Sequence, residues 1–263
     1  MKIPYYHVDA FSGAPFRGNP AGVCPLEKWL PDEVMQNIAM ENQLAETAFF
    51  VPEGEGAWHL RWFTPSIEID LCGHATLATA HVLRNELGEK SERFRFRSLS
   101  GDLGVETDGD LLALDFPARP PEPVNVGTDV ARALGVPVDA ALLARDLMIV
   151  LDREEDVRAV EPDFAAIECL EYKTVIVTSP SAREAVDFVS RFFAPAIGVP
   201  EDAVTGSSHC TLVPYWADRL GKTTLEARQL SARGGAIRCT MAGDRVKLAG
   251  ECCTFSRGEI EIS

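Results

Sequence analysis

The sequence lacks any apolar run that approaches the roughly 18 residues of a transmembrane helix, and its first residues lack the apolar core of a secretory signal. We therefore expect a cytoplasmic protein with no membrane partner. The chain is also poor in positive charge, because 25 Lys and Arg face 40 Asp and Glu, for a formal net charge of −15. This balance argues against nucleic acid and anionic membranes as partners.

The sequence also lacks the cysteine spacings of a disulfide framework or a zinc site. Its seven cysteines include no Cys-x-x-Cys pair, and Cys252 and Cys253 are adjacent. Without an export signal, reduced thiols are the simplest interpretation. The sequence therefore predicts no metal site.

What the chain does contain is an internal repeat. One segment starts at Arg61 and the other at Arg191, and both begin Arg-aromatic-Phe-x-Pro. Each reaches a glycine followed by a small or polar residue, Gly73-His74 in the first and Gly206-Ser207 in the second. A helix-like run rich in small and apolar residues follows each glycine. The shared order predicts two similar halves.

Strand-like sequence around a tight turn follows each of these helix-like runs, with Gly109 and Gly243 at the turns. The segment 117–123 contains four prolines and predicts a stiff connection. We expect an α+β fold with halves at residues 1–118 and 119–263, the last strand being able to pair back with the first half. Other helices are predicted at residues 31–42, 129–134 and 182–192.

The run after Gly73 is apolar nearly all round, which is typical of a buried helix. We predict that each half is a curved, mostly antiparallel sheet around such a central helix. The start of a helix offers unpaired N–H groups and attracts anions. If the halves face each other, the helix starts at Gly73 and Gly206 converge on one cleft and suit a carboxylate or an enolate.

Proton chemistry at such a cleft needs a base, and Glu46 is the candidate. It opens an apolar strand beside Phe49 and Phe50, where shelter from water would raise the pKa of its carboxyl. A solvated glutamate is the alternative that position alone favours. Asp202 is equally explained as a helix cap, and His74 by capping or packing.

Two further segments have a structural and a functional interpretation. Asn19 and Gly22 follow the first strand, where an ordinary turn and a cleft lined by backbone N–H groups are both consistent with the sequence. Cys72 fits a small buried apolar residue, the usual fate of a free cysteine. Cys210 is assigned to the core.

Taken together, these segments resemble the phenazine-biosynthesis isomerase-like (PhzF-like) family. The resemblance rests on an ordered set of motifs along nearly the whole chain, namely Asp9–Phe11, Gly18–Val23, Ala45–Phe49, Phe63–Pro65, Gly73–Thr76, Glu201-Asp202 with Thr205–Ser207, and Ser231–Gly235.

The resemblance implies the diaminopimelate-epimerase fold, with the active site in the cleft between the two halves, and commonly a homodimer. It implies a cofactor-independent isomerase that moves a proton on a small carboxylate-bearing substrate. Glu46 would be the acid/base, and His74, Asp202 and Ser207 would be further active-site residues. With these we group Asn19, Gly22, Gly73 and Gly206 as substrate-binding.

The chain departs from diaminopimelate epimerase at one position. That enzyme uses a pair of cysteines as bases; Cys72 resembles the first, whereas Thr205 occupies the place of the second. A two-thiol racemase is therefore disfavoured. The alternatives are an amino-acid racemase or epimerase with Cys72 as one base, and a non-catalytic protein that binds a small acid. The sequence does not identify the substrate.

Overall fold

A computed structural model describes residues 1–54 and 56–262. Strands dominate this part of the chain. They are β1 (Lys2–Ala10), β2 (Asn19–Pro25), β3 (Glu46–Gly54), β4 (Ala57–Phe63), β5 (Glu68–Ile69), β6 (Arg93–Ser98), β7 (Gly101–Asp108), β8 (Leu111–Pro117), β9 (Glu122–Pro123), β10 (Ala140–Leu143), β11 (Leu147–Val150), β12 (Val175–Pro180), β13 (Phe188–Ala194), β14 (Val199–Glu201), β15 (Thr224–Gln229), β16 (Gly235–Ala242), β17 (Arg245–Gly250) and β18 (Cys252–Glu261).

The helices are fewer and mostly short. They are α1 (Asp32–Asn42), α2 (Gly73–His81), α3 (Thr128–Leu134), α4 (Glu154–Ala159), α5 (Phe164–Glu168) and α6 (Gly206–Leu220), with a π-helical turn at Val82–Glu86 and a 3₁₀ turn at Pro195–Ile197. Among the residues that the structure describes, no helix is both long and apolar enough to cross a membrane.

The chain divides into two compact units. The first contains Met1–Asp115 and the residues from Ala249 onward, and the second contains Phe116–Leu248. In the first unit, the strand order is β18-β1-β2-β3-β4-β6-β7-β8. Only β2/β3 and β4/β6 in this order are parallel pairs. Helix α2 packs against β1, β2 and β3 and is almost entirely buried, as its apolar sequence predicts.

In the second unit, the strand order is β9-β10-β11-β12-β13-β15-β16, with parallel pairs β11/β12 and β13/β15. Helix α6 packs against β15 and β16 and buries much of its length, including Trp216. Pro214 lies inside this helix and has no N–H for the carbonyl of Cys210. The backbone N–H of Arg119 donates to that carbonyl instead, at 2.8 Å.

The order of elements repeats between the units, so the prediction of an α+β fold with two similar halves is confirmed. In the first unit a strand (β4), a short strand (β5), a helix (α2) and a hairpin (β6–β7) follow one another, and β13, β14, α6 and β15–β16 do so in the second. The predicted turns are confirmed as well: Gly109 has φ 62° and Gly243 has φ 66°, a left-handed conformation that glycine adopts at little cost.

The repeated arginine has the same role in both units. Arg61 on β4 makes a two-point ion pair with Glu68 on β5, at 2.7 Å for each nitrogen–oxygen contact. Arg191 on β13 pairs in the same way with Glu201 on β14, at 2.8 and 3.0 Å. Two-point pairs of this kind fix the direction of both side chains. They therefore hold the short strand that leads to each central helix.

The predictions of helices at residues 31–42 and 129–134 are confirmed by α1 and α3. The prediction of a helix at residues 182–192 is wrong, because Phe188–Ala194 forms β13. This strand lies between β12 and β15 and has mostly buried residues. Its aromatic and β-branched side chains fit a pleated surface, and pairing on both edges outweighs its weak helical pattern.

Candidate active site

Glu46 is the first residue of β3, at the place where the chain leaves α1. Gln43 ends α1 in the left-handed conformation, with φ 52°, and so turns the chain toward the strand. Glu46 then lies opposite Ala21 of the parallel strand β2. Its side chain is 15% exposed, so the carboxylate is sheltered but not sealed from water.

His74 faces this carboxylate from the second position of α2. Its Nε2 lies 2.9 Å from Oε2 of Glu46, and the His74 side chain is only 8% exposed. The two groups are close enough for an ion pair, in which a proton on Nε2 faces Oε2. Oε2 itself is buried. The imidazole therefore holds the carboxylate at this oxygen.

Asn19 lies on the other side of the imidazole. It is the first residue of β2, it is 1% exposed, and its side-chain amide nitrogen lies 3.2 Å from Nδ1 of His74. With the amide nitrogen donating, Nδ1 is unprotonated and the proton of a neutral imidazole is on Nε2. After a half-turn of the amide, its oxygen would accept from Nδ1–H of a charged imidazole. Asn19 thus serves both protonation states of His74.

Cys72 completes the cluster as the residue that precedes α2. Its backbone is extended, with φ −143°, and its sulfur lies 3.6 Å from Nδ1 and 4.0 Å from Nε2 of His74. Burial, and then the charge of Glu46, raise the pKa of this thiol. Cys72 is therefore a thiol rather than a thiolate near neutral pH, which does not suit a base.

At His74 the same surroundings favour the charged form of the side chain. Burial on its own would lower the pKa of the imidazole, but the neighbouring Cys72 and Glu46 outweigh it and raise that pKa well above the ordinary value. Because the Cys72 thiol is itself hard to ionise, the carboxylate of Glu46 is the charge that matters. The pair can therefore hold a proton on the imidazole beside an ionised carboxylate.

Gly22 lies in the same unit, and packing explains it. A β-carbon there would lie 3.0 Å from Oγ1 of Thr47 and 3.1 Å from a ring carbon of Tyr5, closer than side chains tolerate without a shift. Its assignment as a substrate contact, like those of Asn19 and Gly73, stays a prediction. Gly73 is the first residue of α2, directly between Cys72 and His74.

In the second unit, the predicted residues Asp202, Gly206 and Ser207 lie at the start of α6. Thr205 precedes this helix, as Cys72 precedes α2. The hydroxyl of Thr205 donates to Oδ2 of Asp202 at 2.6 Å, and Ser207 is partly exposed one residue inside the helix. The assignment of these three residues to substrate binding stays a prediction.

Gln229, which the sequence analysis did not single out, organises this helix start. Its side-chain oxygen accepts from the backbone N–H of Thr205 at 2.8 Å, and its amide nitrogen donates to the carbonyl of Asp202 at 2.8 Å. Gln229 lies 24 residues after Thr205, at the end of β15. No spacing rule joins the two, and only the repeat, which places a parallel strand after each central helix, could have pointed to it.

Comparison with known proteins gives one consistent result. The family model described as Phenazine biosynthesis-like protein (PhzC-PhzF) matches residues 8–258. A Pseudomonas aeruginosa protein named as an uncharacterized isomerase is 52% identical over 264 residues, with 100% of both chains covered.

Solved structures agree with these sequence matches. A crystal structure of a phenazine biosynthesis protein of the PhzF family from Enterococcus faecalis has a TM-score of 0.97 and 49% identity, with 100% of both chains covered. A predicted epimerase from Pseudomonas aeruginosa has a TM-score of 0.77 at 19% identity, with 99% of this chain and 100% of that chain covered. This second likeness concerns the fold alone.

Proposed function

Since the chain belongs to the phenazine biosynthesis-like (PhzC-PhzF) family, whose curated relatives include proteins named as isomerases, we propose that it is a cofactor-independent isomerase with Glu46 as its acid/base. The substrate is a small molecule with a carboxylate and a C–H bond that is acidic enough to lose its proton. The reaction removes a proton from one carbon and returns it to another.

The observation that carries this proposal is the state of the Glu46 carboxylate. It is partly buried, and its Oε2 lies 2.9 Å from Nε2 of His74, which raises the pKa of that imidazole and supplies positive charge beside the carboxylate. In the first step, the Glu46 carboxylate takes the proton, and the electron pair of the broken C–H bond moves into the conjugated system as an enolate. In the second step, the Glu46 carboxyl gives the proton back to another carbon. One carboxylate can do both.

His74 and Asn19 support this cycle without taking part in a second proton transfer. The imidazole keeps the carboxylate in position and supplies positive charge while an anionic intermediate is present. The amide of Asn19 fixes the imidazole ring from its other nitrogen, at 3.2 Å. The backbone N–H groups at the start of α2 suit the carboxylate or the enolate oxygen of the substrate.

The second unit favours a one-base mechanism. A racemase of the diaminopimelate-epimerase type would need a thiol at Thr205, and the Thr205 hydroxyl already donates to Asp202 at 2.6 Å. A neutral hydroxyl in such a bond is not a base. A racemase that uses Cys72 together with Glu46 is the competing function, because the Cys72 sulfur also reaches His74.

The test is carbon–hydrogen exchange in heavy water, followed by NMR over a panel of small unsaturated and amino carboxylates. With the carboxylate that wild-type protein exchanges, Glu46→Gln should lose about a hundred- to ten-thousandfold in exchange rate. Glutamine keeps the shape of the side chain but does not accept the proton. Glu41→Gln is the matched control, since Glu41 is exposed on α1, and it should exchange at the wild-type rate.

The position of the deuterium separates the two functions. Deuterium at a carbon other than the one that lost its proton supports an isomerase. Deuterium at the original carbon with inverted configuration supports the racemase. A folded Glu46→Gln protein that exchanges as fast as wild type would exclude Glu46 as the base.

A further inference from the structure

The cluster at the start of α2 also forms a set of metal ligands, a property that the proposed isomerase reaction does not require. Glu46, Cys72 and His74 each present one potential metal-binding atom, and the three atoms lie within 4.8 Å of one another. A thiolate sulfur, an imidazole nitrogen and a carboxylate oxygen are the ligands that zinc accepts in proteins. We propose that these three side chains bind one zinc ion, and that the bound ion blocks proton transfer at Glu46.

The distances fit a tetrahedral ion after small movements. Zinc–ligand bonds of about 2.0 to 2.3 Å place neighbouring ligand atoms roughly 3.3 to 3.6 Å apart. Nε2 of His74 lies 2.9 Å from Oε2 of Glu46 and 4.0 Å from the sulfur of Cys72. The carboxylate must therefore withdraw from Nε2 and the sulfur approach it, each by about half an ångström, and the sulfur and the carboxylate oxygen, which lie within 4.8 Å of each other, must close to the same range.

The charges balance as well. Zinc binding expels two protons to solvent, one from the S–H bond of Cys72 and one from Nε2 of the His74 imidazolium, which leaves a thiolate, a neutral imidazole and a carboxylate opposite a doubly charged cation. The sum is zero, which suits a site that is largely shielded from water. The two anionic ligands also offset the positive end of α2, which would otherwise repel a cation.

Asn19 supplies a feature that metal-binding histidines generally have. A histidine that binds a metal through one nitrogen usually holds a hydrogen bond at the other, which fixes the ring. The side-chain amide of Asn19 lies 3.2 Å from Nδ1 of His74. With its oxygen turned toward the ring it accepts from Nδ1–H, and Nε2 then faces Glu46 and the ion.

This site could not be expected from the sequence, because Glu46 lies 26 residues before Cys72 and the set matches no common zinc spacing. Three protein ligands leave a fourth position for water or for a substrate carboxylate. The ion would bind the Glu46 carboxylate, which is the group that accepts the substrate proton. The zinc-binding part of the proposal stands without the proposed function, and only the inhibition depends on it.

Zinc alone is the test ligand, with affinity measured by competition against a chromogenic chelator at constant pH. Wild-type protein should bind one zinc ion. Cys72→Ser should lose more than about a hundredfold in zinc affinity, because it removes a ligand, and this exceeds the loss expected when only a hydrogen-bond partner of a ligand is removed. Asn19→Ala should lose about ten- to a hundredfold. Cys169→Ser and Cys253→Ser, which alter an exposed and a half-buried thiol, are the matched controls and should bind as wild type. Unchanged affinity in folded Cys72→Ser protein would overturn the site.

X-ray absorption on zinc-loaded wild-type protein gives a result that does not depend on any variant. One sulfur among nitrogen and oxygen ligands supports the site, whereas two or more sulfurs, or none, would overturn it. Inhibition is then read as loss of exchange on adding zinc and its return on adding chelator. Protein that binds zinc with one sulfur yet exchanges at an unchanged rate would contradict the base role of Glu46 and leave the metal site standing.

Discussion

The two central helices begin in the same topological place but present different chemistry. In both units an arginine on the preceding strand forms an ion pair with a glutamate on the short strand, so the same contact positions each helix start. At the start of α2, the thiol of Cys72, the imidazole of His74 and the carboxylate of Glu46 lie close together. At the start of α6, Thr205 is tied by neutral hydrogen bonds to Gln229 and by its hydroxyl to Asp202.

This difference teaches that the repeat preserves the frame and not the reactive groups. At the first helix start, a carboxylate that can accept a proton lies beside an imidazole. At the second, hydrogen bonds hold the backbone N–H and the hydroxyl of Thr205. We therefore expect proton chemistry to depend on the first helix start, and the second to contribute binding and stability.

The largest expected contrast is between the residues that follow the two glycines. His74→Gln removes the positive charge beside Glu46 and should lower the exchange rate about a hundred- to a thousandfold. Ser207→Ala, the matched change after Gly206, should cost about tenfold or less and act mainly on KM, as expected for loss of one substrate hydrogen bond. Steady-state kinetics with the exchanging carboxylate measure both.

Equal losses of kcat in the two variants would break the comparison, because both helix starts would then contribute to the chemical step. Thermal unfolding midpoints within a few degrees of wild type are the control that the loss is not one of folding.

Sequence reasoning could reach Glu46, His74, Asp202 and Ser207 because each lies in a motif that resembles a family. It could not reach the contact between Glu46 and His74, since 28 residues separate them and only the meeting of β3 with α2 brings them to 2.9 Å. The repeat correctly predicted the order of strands, central helix and hairpin in each unit. It could also have corrected the predicted helix at residues 182–192, because the matching segment around Arg61 is a strand.

The next contrast concerns two buried imidazoles, one near the start of each central helix. His74 has a carboxylate partner, whereas His209 on α6 is 0% exposed, donates from Nδ1 to the carbonyl of Thr205 at 2.8 Å, and has no partner at Nε2. Burial lowers the pKa of His209 to about 4, although the bond to Thr205 opposes the shift.

The sign of the stability effect follows from this shift. Below about pH 6.5 the unfolded chain binds a proton at His209, whereas the folded protein binds it only near pH 4. The free energy of unfolding therefore decreases as the pH is lowered from about 6.5 to about 4. The loss is about 2 kcal/mol between about pH 7 and about pH 5. His209→Phe should remove this part of the slope, as measured by denaturant unfolding at both pH values. An unchanged slope in the variant would mean that His209 is charged in the folded protein.

The smallest expected effect is at Cys72, the residue that most resembles a racemase base. Burial and the charge of Glu46 raise the pKa of its thiol, so little thiolate is present to take a proton. The matching position in the second unit is Thr205, which has no thiol to act as the opposite base.

Cys72→Ala should therefore slow exchange by about tenfold or less, through looser packing around His74, and Cys72→Ser should restore most of the rate because it refills the space. Exchange rates of both variants, measured with the same carboxylate as wild type, decide the matter. A loss of about a thousandfold or more in both, with folding intact, would make Cys72 a base and turn the favoured reaction from isomerisation to racemisation.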